Sequence, residues 1–256
     1  MKTHPRRNGF TVTELLIVVM ITGVLMALLL PTIQWLRQSS KKVGDLRNIR
    51  EVGQGLLAWI QEANQGKFPY AYVNRTASSY PAGFDVGTLP QNYTYWAGAV
   101  YHGGYVSDVE RFFSPLQKEP YWRDPAFSKA LKTNASAWQW AYVGYGASGI
   151  LMPYSSDVRG VPTRSLRSLE GGAEIILLAD GAPPAAQSSN GKYDGFHAVR
   201  PRRNTYPLAV RLKGKVTAFF VDGHAQVLSP QELGWDEEQN QWSSTVDDTR
   251  PPWNKM

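Results

Sequence analysis

The chain reads as an α+β protein, with a long amino-terminal helix, a loop-rich insertion and a carboxy-terminal antiparallel sheet on which the helix packs. Three observations carry this. Phe10 to Leu30 is an apolar run broken only by Glu14, and a helical period continues from Thr32 to about Asn64. From Phe68 to Trp140 the sequence turns to Tyr, Trp, Gly and Pro, which suits loops and short strands. Beyond that, the apolar runs EIILLA (174–179) and VTAFFV (216–221) are followed by Asp180-Gly181 and Asp222-Gly223.

The first element decides most about function. FTVTELLIVVMITGVLMALLL, at a helical rise of about 1.5 Å per residue, is long enough to cross a hydrocarbon core of about 30 Å. It follows the basic leader MKTHPRRNG. A carboxylate at the bilayer centre costs about 2.5 to 3.5 kcal/mol, and less near an end, so Glu14 needs a partner. A cut between Gly9 and Phe10 supplies one, because the new amine of Phe10 lies one helical turn before Glu14. In a packed array of helices, the amine of one subunit meets Glu14 of its neighbour equally well.

Gly9-Phe10 with Glu14 four residues on, after a short basic leader and before an apolar run, resembles the class III signal of type IV prepilins and type II secretion pseudopilins. The resemblance spans Arg6 to Pro31. It implies cleavage after Gly9 by a prepilin peptidase, methylation of the Phe10 amine and assembly through Glu14. Pro31 falls where many members of that family place a helix-kinking proline. Simpler readings explain less. A secretory signal peptide needs a shorter apolar core and a small-residue cleavage site, the Arg6-Arg7 pair of a twin-arginine signal gives Glu14 no role, and a plain anchor oriented by Lys2, Arg6 and Arg7 leaves the Gly-Phe-Thr-Val-Thr-Glu arrangement unexplained.

Composition bounds the rest. The chain of 256 residues has no cysteine, which excludes disulfides and thiolate metal sites. The formal charge of +6 includes Lys2, Arg6 and Arg7, so a chain that loses the leader keeps +3, and charge alone implies no nucleic acid. The short basic groups Lys41-Lys42, Arg47 with Arg50, and Arg200 to Lys215 suit solvated faces. The expected organisation is a leader at 1–9, a transmembrane and assembly helix at 10–30, a soluble half of the stalk at 31–64 and a globular head at 65–256.

In the soluble half, Val43, Leu46, Ile49, Gly53, Leu57 and Ile60 form a stripe that faces the head. Lys41, Arg47, Asn48, Glu51 and Glu62 take the opposite face. Pro31 is expected to kink the join, and Gly66 then Pro69 to end the helix. Periodicity alone allows two helices here; the resemblance implies one kinked stalk. Ser114-Pro115 to Asp124-Pro125 reads as a turn region. Leu208–Leu212, VTAFFV and AQVL, joined by Lys213-Gly214-Lys215 and Asp222-Gly223-His224, read as a three-stranded antiparallel meander. The string from His197 to FFVDGHAQVL also resembles, with looser spacing, a carboxy-terminal signature of a large pseudopilin-like group.

Other site chemistry is sparse. Tyr70, Tyr72, Tyr80, Tyr93, Tyr95 and Trp96 suit either a loop-rich core or an aromatic surface for sugars. His197, Asp222 and His224 suit zinc by ligand type but lack fixed spacing, and are expected in a turn with hydrogen-bonded histidines. Asp236, Glu237, Glu238, Asp247 and Asp248 suit calcium by ligand type, and some major pseudopilins bind calcium in a carboxy-terminal loop, yet no regular ligand spacing appears. No cofactor is expected. The catalytic motifs GxSxG and HExxH and a phosphate-cradling glycine loop are absent from the sequence, which argues against an enzyme.

The resulting expectation is a structural subunit of a type II secretion pseudopilus or type IV pilus-like filament. Its implied partners are the prepilin peptidase, other pilin or pseudopilin subunits, an inner-membrane assembly platform with its motor ATPase, and the membrane. It would cross the inner membrane once, with its head in the periplasm or at the cell surface. The competing expectation is an envelope-anchored glycan-binding protein that uses the same export route.

Overall fold

The computed structural model describes residues 11–72, 94–117, 121–152, 165–169, 172–183, 193–199, 207–211, 214–233, 235–236 and 241–242. The chain divides into two compact units, Met1–Lys41 and Lys42–Met256. Helix α1, Val12–Glu62, contributes to both and is one element of 51 residues with Pro31 inside it. The periodic stretch after Thr32 is therefore the continuation of the apolar run and not a second helix. Pro31 has no N–H to give the Ala27 carbonyl, while the next residue, Thr32, turns its hydroxyl to the Leu28 carbonyl at 3.4 Å. The helix stops where Gln65 and Gly66 take left-handed φ values of 54° and 77°, and the Gly66 N–H closes on the Ile60 carbonyl at 2.8 Å.

Within the second unit, α1 buries Asp45, Asn48, Ile49, Val52, Gly53, Leu56, Trp59 and Ile60. This stripe is rotated from the expected one. Val43 is 65% exposed, Leu46 and Leu57 are only partly buried, and Asn48, expected outside, is buried, donating to the Phe113 carbonyl at 3.1 Å. The physical reason is a pair of close approaches that only glycine permits. A Cβ on Gly53 would lie 2.3 Å from the Phe219 ring, and one on Gly55 would lie 2.5 Å from Val106. Those contacts seat the helix against Phe219 of the sheet and Val106 outside it, and select the face that goes inside.

The other helices are short: α2 at Trp96–His102 and α3 at Pro125–Thr133. The Asp124-Pro125 pair, read above as turn punctuation, starts α3. Asp124 is its N-cap, accepting from the Phe127 amide at 2.9 Å, and Pro125 takes the first helical position, where an N–H is not needed.

Strands β1 (Tyr145–Ser148), β2 (Ile176–Asp180), β3 (Ala198–Val199), β4 (Val216–Phe220) and β5 (Ala225–Leu228) form a sheet in the order β3-β1-β2-β4-β5. Three pairings are antiparallel. The expectation of a wholly antiparallel sheet is corrected at its edge, where β3 runs parallel to β1 because the chain leaving β2 passes β1 before pairing. The expected meander is reduced to the β4–β5 hairpin, whose turn at Asp222-Gly223 is tight: the Phe220 N–H meets the His224 carbonyl at 2.9 Å and Gly223 has φ 97°. The segment from Leu208 does not join β4; Leu208 bridges Gly181 instead. Beyond the sheet, β6 (Trp235–Asp236) and β7 (Gln241–Trp242) form a separate pair.

Both faces of the sheet are covered, which explains why β2 and β4 are buried at every position. Leu178, Phe219 and Tyr145 join the α1 residues in the larger core. Ile176, Ala179, Val216, Ala218 and Phe220 face a second core with Leu208, Leu228 and Leu233. A register shift between Ile176 and Leu178 sends two consecutive leucines, Leu177 and Leu178, into the helix-side core.

Candidate functional site

Glu14 lies in the first turn of α1, in a stretch whose residues are all exposed. One carboxylate oxygen, Oε2, accepts from both the amide and the hydroxyl of Thr11, each at 2.8 Å. Thr11 Oγ1 in turn accepts from the Glu14 amide at 3.3 Å. This reciprocal pair is a capping box, with Thr11 as N-cap and Glu14 three positions into the helix. It fixes the side chain at the helix entrance, while Oε1 has no hydrogen-bond partner among the described residues. Gly9 and Phe10 lie outside the described residues, so the cleavage and methylation positions remain expectations from sequence.

A second carboxylate on α1 is in the opposite situation. Asp45 has no exposed surface. Its Oδ1 accepts from Ser114 Oγ at 2.5 Å and from the Tyr145 hydroxyl at 2.8 Å, and its Oδ2 accepts from the Thr217 hydroxyl. The Thr217 amide donates to Asp180 Oδ2 at 2.8 Å, and Asp180 Oδ1 takes Arg211 Nη1 at 2.7 Å with both side chains buried. Arg211 also donates to the carbonyls of Gly144 at 3.1 Å, Gly181 at 2.9 Å and Asp194. One guanidinium thus pairs with the enclosed Asp180 carboxylate, and Thr217 links that carboxylate to Asp45. Burial and the nearby Asp45 push the Asp180 carboxyl up to about 7, against the opposing pull of Arg211 and the Thr217 amide. Burial drives the Tyr145 hydroxyl well above its ordinary range, with the two carboxylates adding to it. Every polar partner is supplied by the fold, so the cluster joins α1 to β1, β2 and β4. Asp180, expected in a tight turn, is an interior ion-pair residue.

The comparisons with known proteins bear on the other end of α1. Residues 4–30 match the model of the family described as the prokaryotic N-terminal methylation motif. The chain carries a prepilin-type signal. That signal, with a helix long and apolar enough to cross a membrane, points to a membrane-anchored, structural pilin-type protein. No curated protein and no solved structure matches the chain.

Of the remaining predicted positions in this prepilin-type chain, Tyr70, Trp96 and His197 serve the interior. Tyr70 and Trp96 are buried. Trp96 Nε1 donates to the His197 carbonyl at 2.8 Å, and Tyr72, Tyr95 and His197 pack ring to ring. Tyr80 and Tyr93 lie outside the described residues. His197 is buried, its Nδ1 3.0 Å from the Ala141 carbonyl, and burial lowers its pKa to about 4, so it is neutral at physiological pH. Asp222 and His224 form a surface pair at 2.6 Å, with the imidazole stacked on Phe220 at 4.2 Å. Among the described residues, no three His, Cys, Asp or Glu side chains gather as a metal set. The side chains of Asp236, Glu237, Glu238, Asp247 and Asp248 lie outside the description.

Proposed function

We propose that the protein is a subunit of a type IV pilus or type II secretion pseudopilus-like filament. A prepilin peptidase cuts between Gly9 and Phe10, the Phe10 amine is methylated, and an inner-membrane platform draws the subunit into the filament through α1, with the head on the far side of the inner membrane. The observation that carries this is the match at residues 4–30 on a helix whose apolar surface is open along the run. An apolar helix in lipid gains little by associating through hydrophobicity, so close packing and a charge pair must specify the contact. Glu14 supports that role. Its Oε2 is held by Thr11, which leaves Oε1 to receive the Phe10 ammonium of a neighbouring subunit, and neutralising both charges offsets the cost of placing them in hydrocarbon.

Intact-mass spectrometry with amino-terminal sequencing of the membrane-extracted protein tests the reading. A chain beginning at N-methylated Phe10 is the expected result. A chain beginning at Met1 overturns it.

A further inference from the structure

The far flank of the apolar helix carries an unusual load of cations. Arg37, Lys41, Lys42, Arg47 and Arg50 lie in the 20 residues after Leu30, and Asp45 is the only acid among them. Asp45 is buried and hydrogen-bonded inside the head, so it neutralises none of them at the surface. Arg37, Lys41 and Lys42 are exposed, and none pairs with an acid among the described residues. The leader supplies only Lys2, Arg6 and Arg7 on the near side, and cleavage after Gly9 removes them. By the bias that keeps Lys and Arg on the cytoplasmic flank, a far side this basic works against the orientation with the leader inside. An anionic partner on that far side resolves the conflict.

The helix geometry says what the partner is. Val12 to Leu36 rises about 37 Å, more than the roughly 30 Å of a hydrocarbon core and less than the roughly 40 to 45 Å of a bilayer with its headgroups. Trp35, 63% exposed, then falls at the interface, where the indole is favoured. Arg37 to Lys42 follow within the next two turns, in the depth of the phosphates. Arg37 and Lys41 lie nearly in line and Lys42 opens the arc to about 140°, since steps of four and one residues turn the helix by about 40° and 100°. A partial collar of that width, at one depth, suits several neighbouring headgroups of one leaflet better than a single bound ligand.

We infer that Arg37, Lys41 and Lys42 form a collar that binds the phosphate headgroups of anionic phospholipids in the leaflet away from the leader, and so sets the depth of the subunit before assembly. The inference rests on the reading that the apolar run spans a membrane. The subunit draws an annulus enriched in anionic lipid, and leaving the bilayer for a filament requires giving up those contacts. The attraction weakens with salt, because it acts through exposed charges.

The test uses the full chain reconstituted in vesicles containing acyl-brominated phosphatidylglycerol or, separately, acyl-brominated phosphatidylcholine at equal mole fraction. Bromine quenches only nearby indoles, and the Trp35 signal is isolated as the difference from Trp35→Phe. Phosphatidylglycerol should occupy the site about threefold more strongly, and the preference should vanish at high salt and in Arg37→Gln/Lys41→Gln/Lys42→Gln. Lys41→Glu with Lys42→Glu should reverse it. Equal quenching by the two lipids, or a preference that survives the triple substitution, overturns the collar while leaving the membrane reading intact. Absence of quenching by either lipid overturns both.

Discussion

Glu14 and Asp45 are carboxylates of the same helix with opposite surroundings, and the contrast shows how one element serves two purposes. Glu14 is exposed, and among the described residues its carboxylate is bonded only to Thr11. Asp45 is enclosed and gathers hydroxyls from Ser114, Tyr145 and Thr217, which lie 69, 100 and 172 residues away in sequence. Removing the first costs the fold almost nothing and should therefore reveal assembly. Removing the second takes a fastening out of the head. The largest effect is expected at the exposed residue: Glu14→Ala should leave cleavage after Gly9 and the melting of the head unchanged, yet abolish incorporation into sheared filaments. Normal filaments from that variant would break the comparison at its first term.

The buried term is sharpened by dividing the cluster. Arg211→Met leaves the Asp180 carboxylate enclosed without a counter-charge, and loss of one partner of a buried pair costs about 3 to 5 kcal/mol. Asp45→Ala orphans three hydroxyl donors, at about 1 to 3 kcal/mol for each left unsatisfied, less whatever new partners they find. Asp45→Asn preserves shape and an acceptor and should cost less than Asp45→Ala. Chemical denaturation of the membrane-extracted chain in detergent, followed through the head tryptophans, orders the three. If Asp45→Ala unfolds at the wild-type midpoint, the cluster is not what fastens α1 to the sheet.

How much of this could be read in advance differs between the two carboxylates. Glu14 stands out because a charge interrupts an apolar run, and a local motif explains it without tertiary structure. Asp45 belongs to an equally regular pattern, since Asp45, Ile49, Val52, Leu56 and Trp59 recur at steps of four and three. A stripe registered on Val43 follows the more hydrophobic side chains instead and puts Asn48 outside. Arg211 offers a similar clue, a cation between Leu208-Ala209-Val210 and Leu212. Asp180 was obscured by Asp-Gly, a pair that marks a true turn at 222–223 and a buried ion pair at 180–181. Strands with both faces covered were legible as unbroken apolar runs. The parallel placement of β3 was not, because two residues carry no directional signal.

Titration separates the interior groups further. His197 has its pKa lowered to about 4 by burial, so the unfolded chain takes up a proton first on acidification. Its contribution is present above about pH 6.5 and is lost towards pH 4, by up to about 3 kcal/mol. Asp180 is raised to about 7, so its contribution is complete below about pH 4 and is lost as pH rises to about 7. The two slopes oppose each other in one window. His197→Phe should therefore turn a shallow profile into one in which stability rises as pH falls from 7 towards 4, measured by denaturant midpoints. A variant profile that still falls on acidification would show that His197 is not the group that protonates on unfolding.

The smallest expected effect returns to the helix entrance. Thr11→Val keeps the size and branching of the side chain but removes the hydroxyl that both donates to Glu14 Oε2 and accepts from the Glu14 amide. Loss of an N-cap side chain costs about 1 kcal/mol, confined to the first turn because that turn is exposed. The amides of Glu14 and Leu15, which bond Thr11 in the wild type, should then exchange several-fold faster with solvent in detergent micelles, while the head melts as before. If Thr11 also holds the carboxylate ready for a neighbour's amine, the same variant slows incorporation without abolishing it, midway between wild type and Glu14→Ala. Faster exchange with unchanged incorporation would mean that the capping box starts the helix and that Glu14 finds its partner unaided.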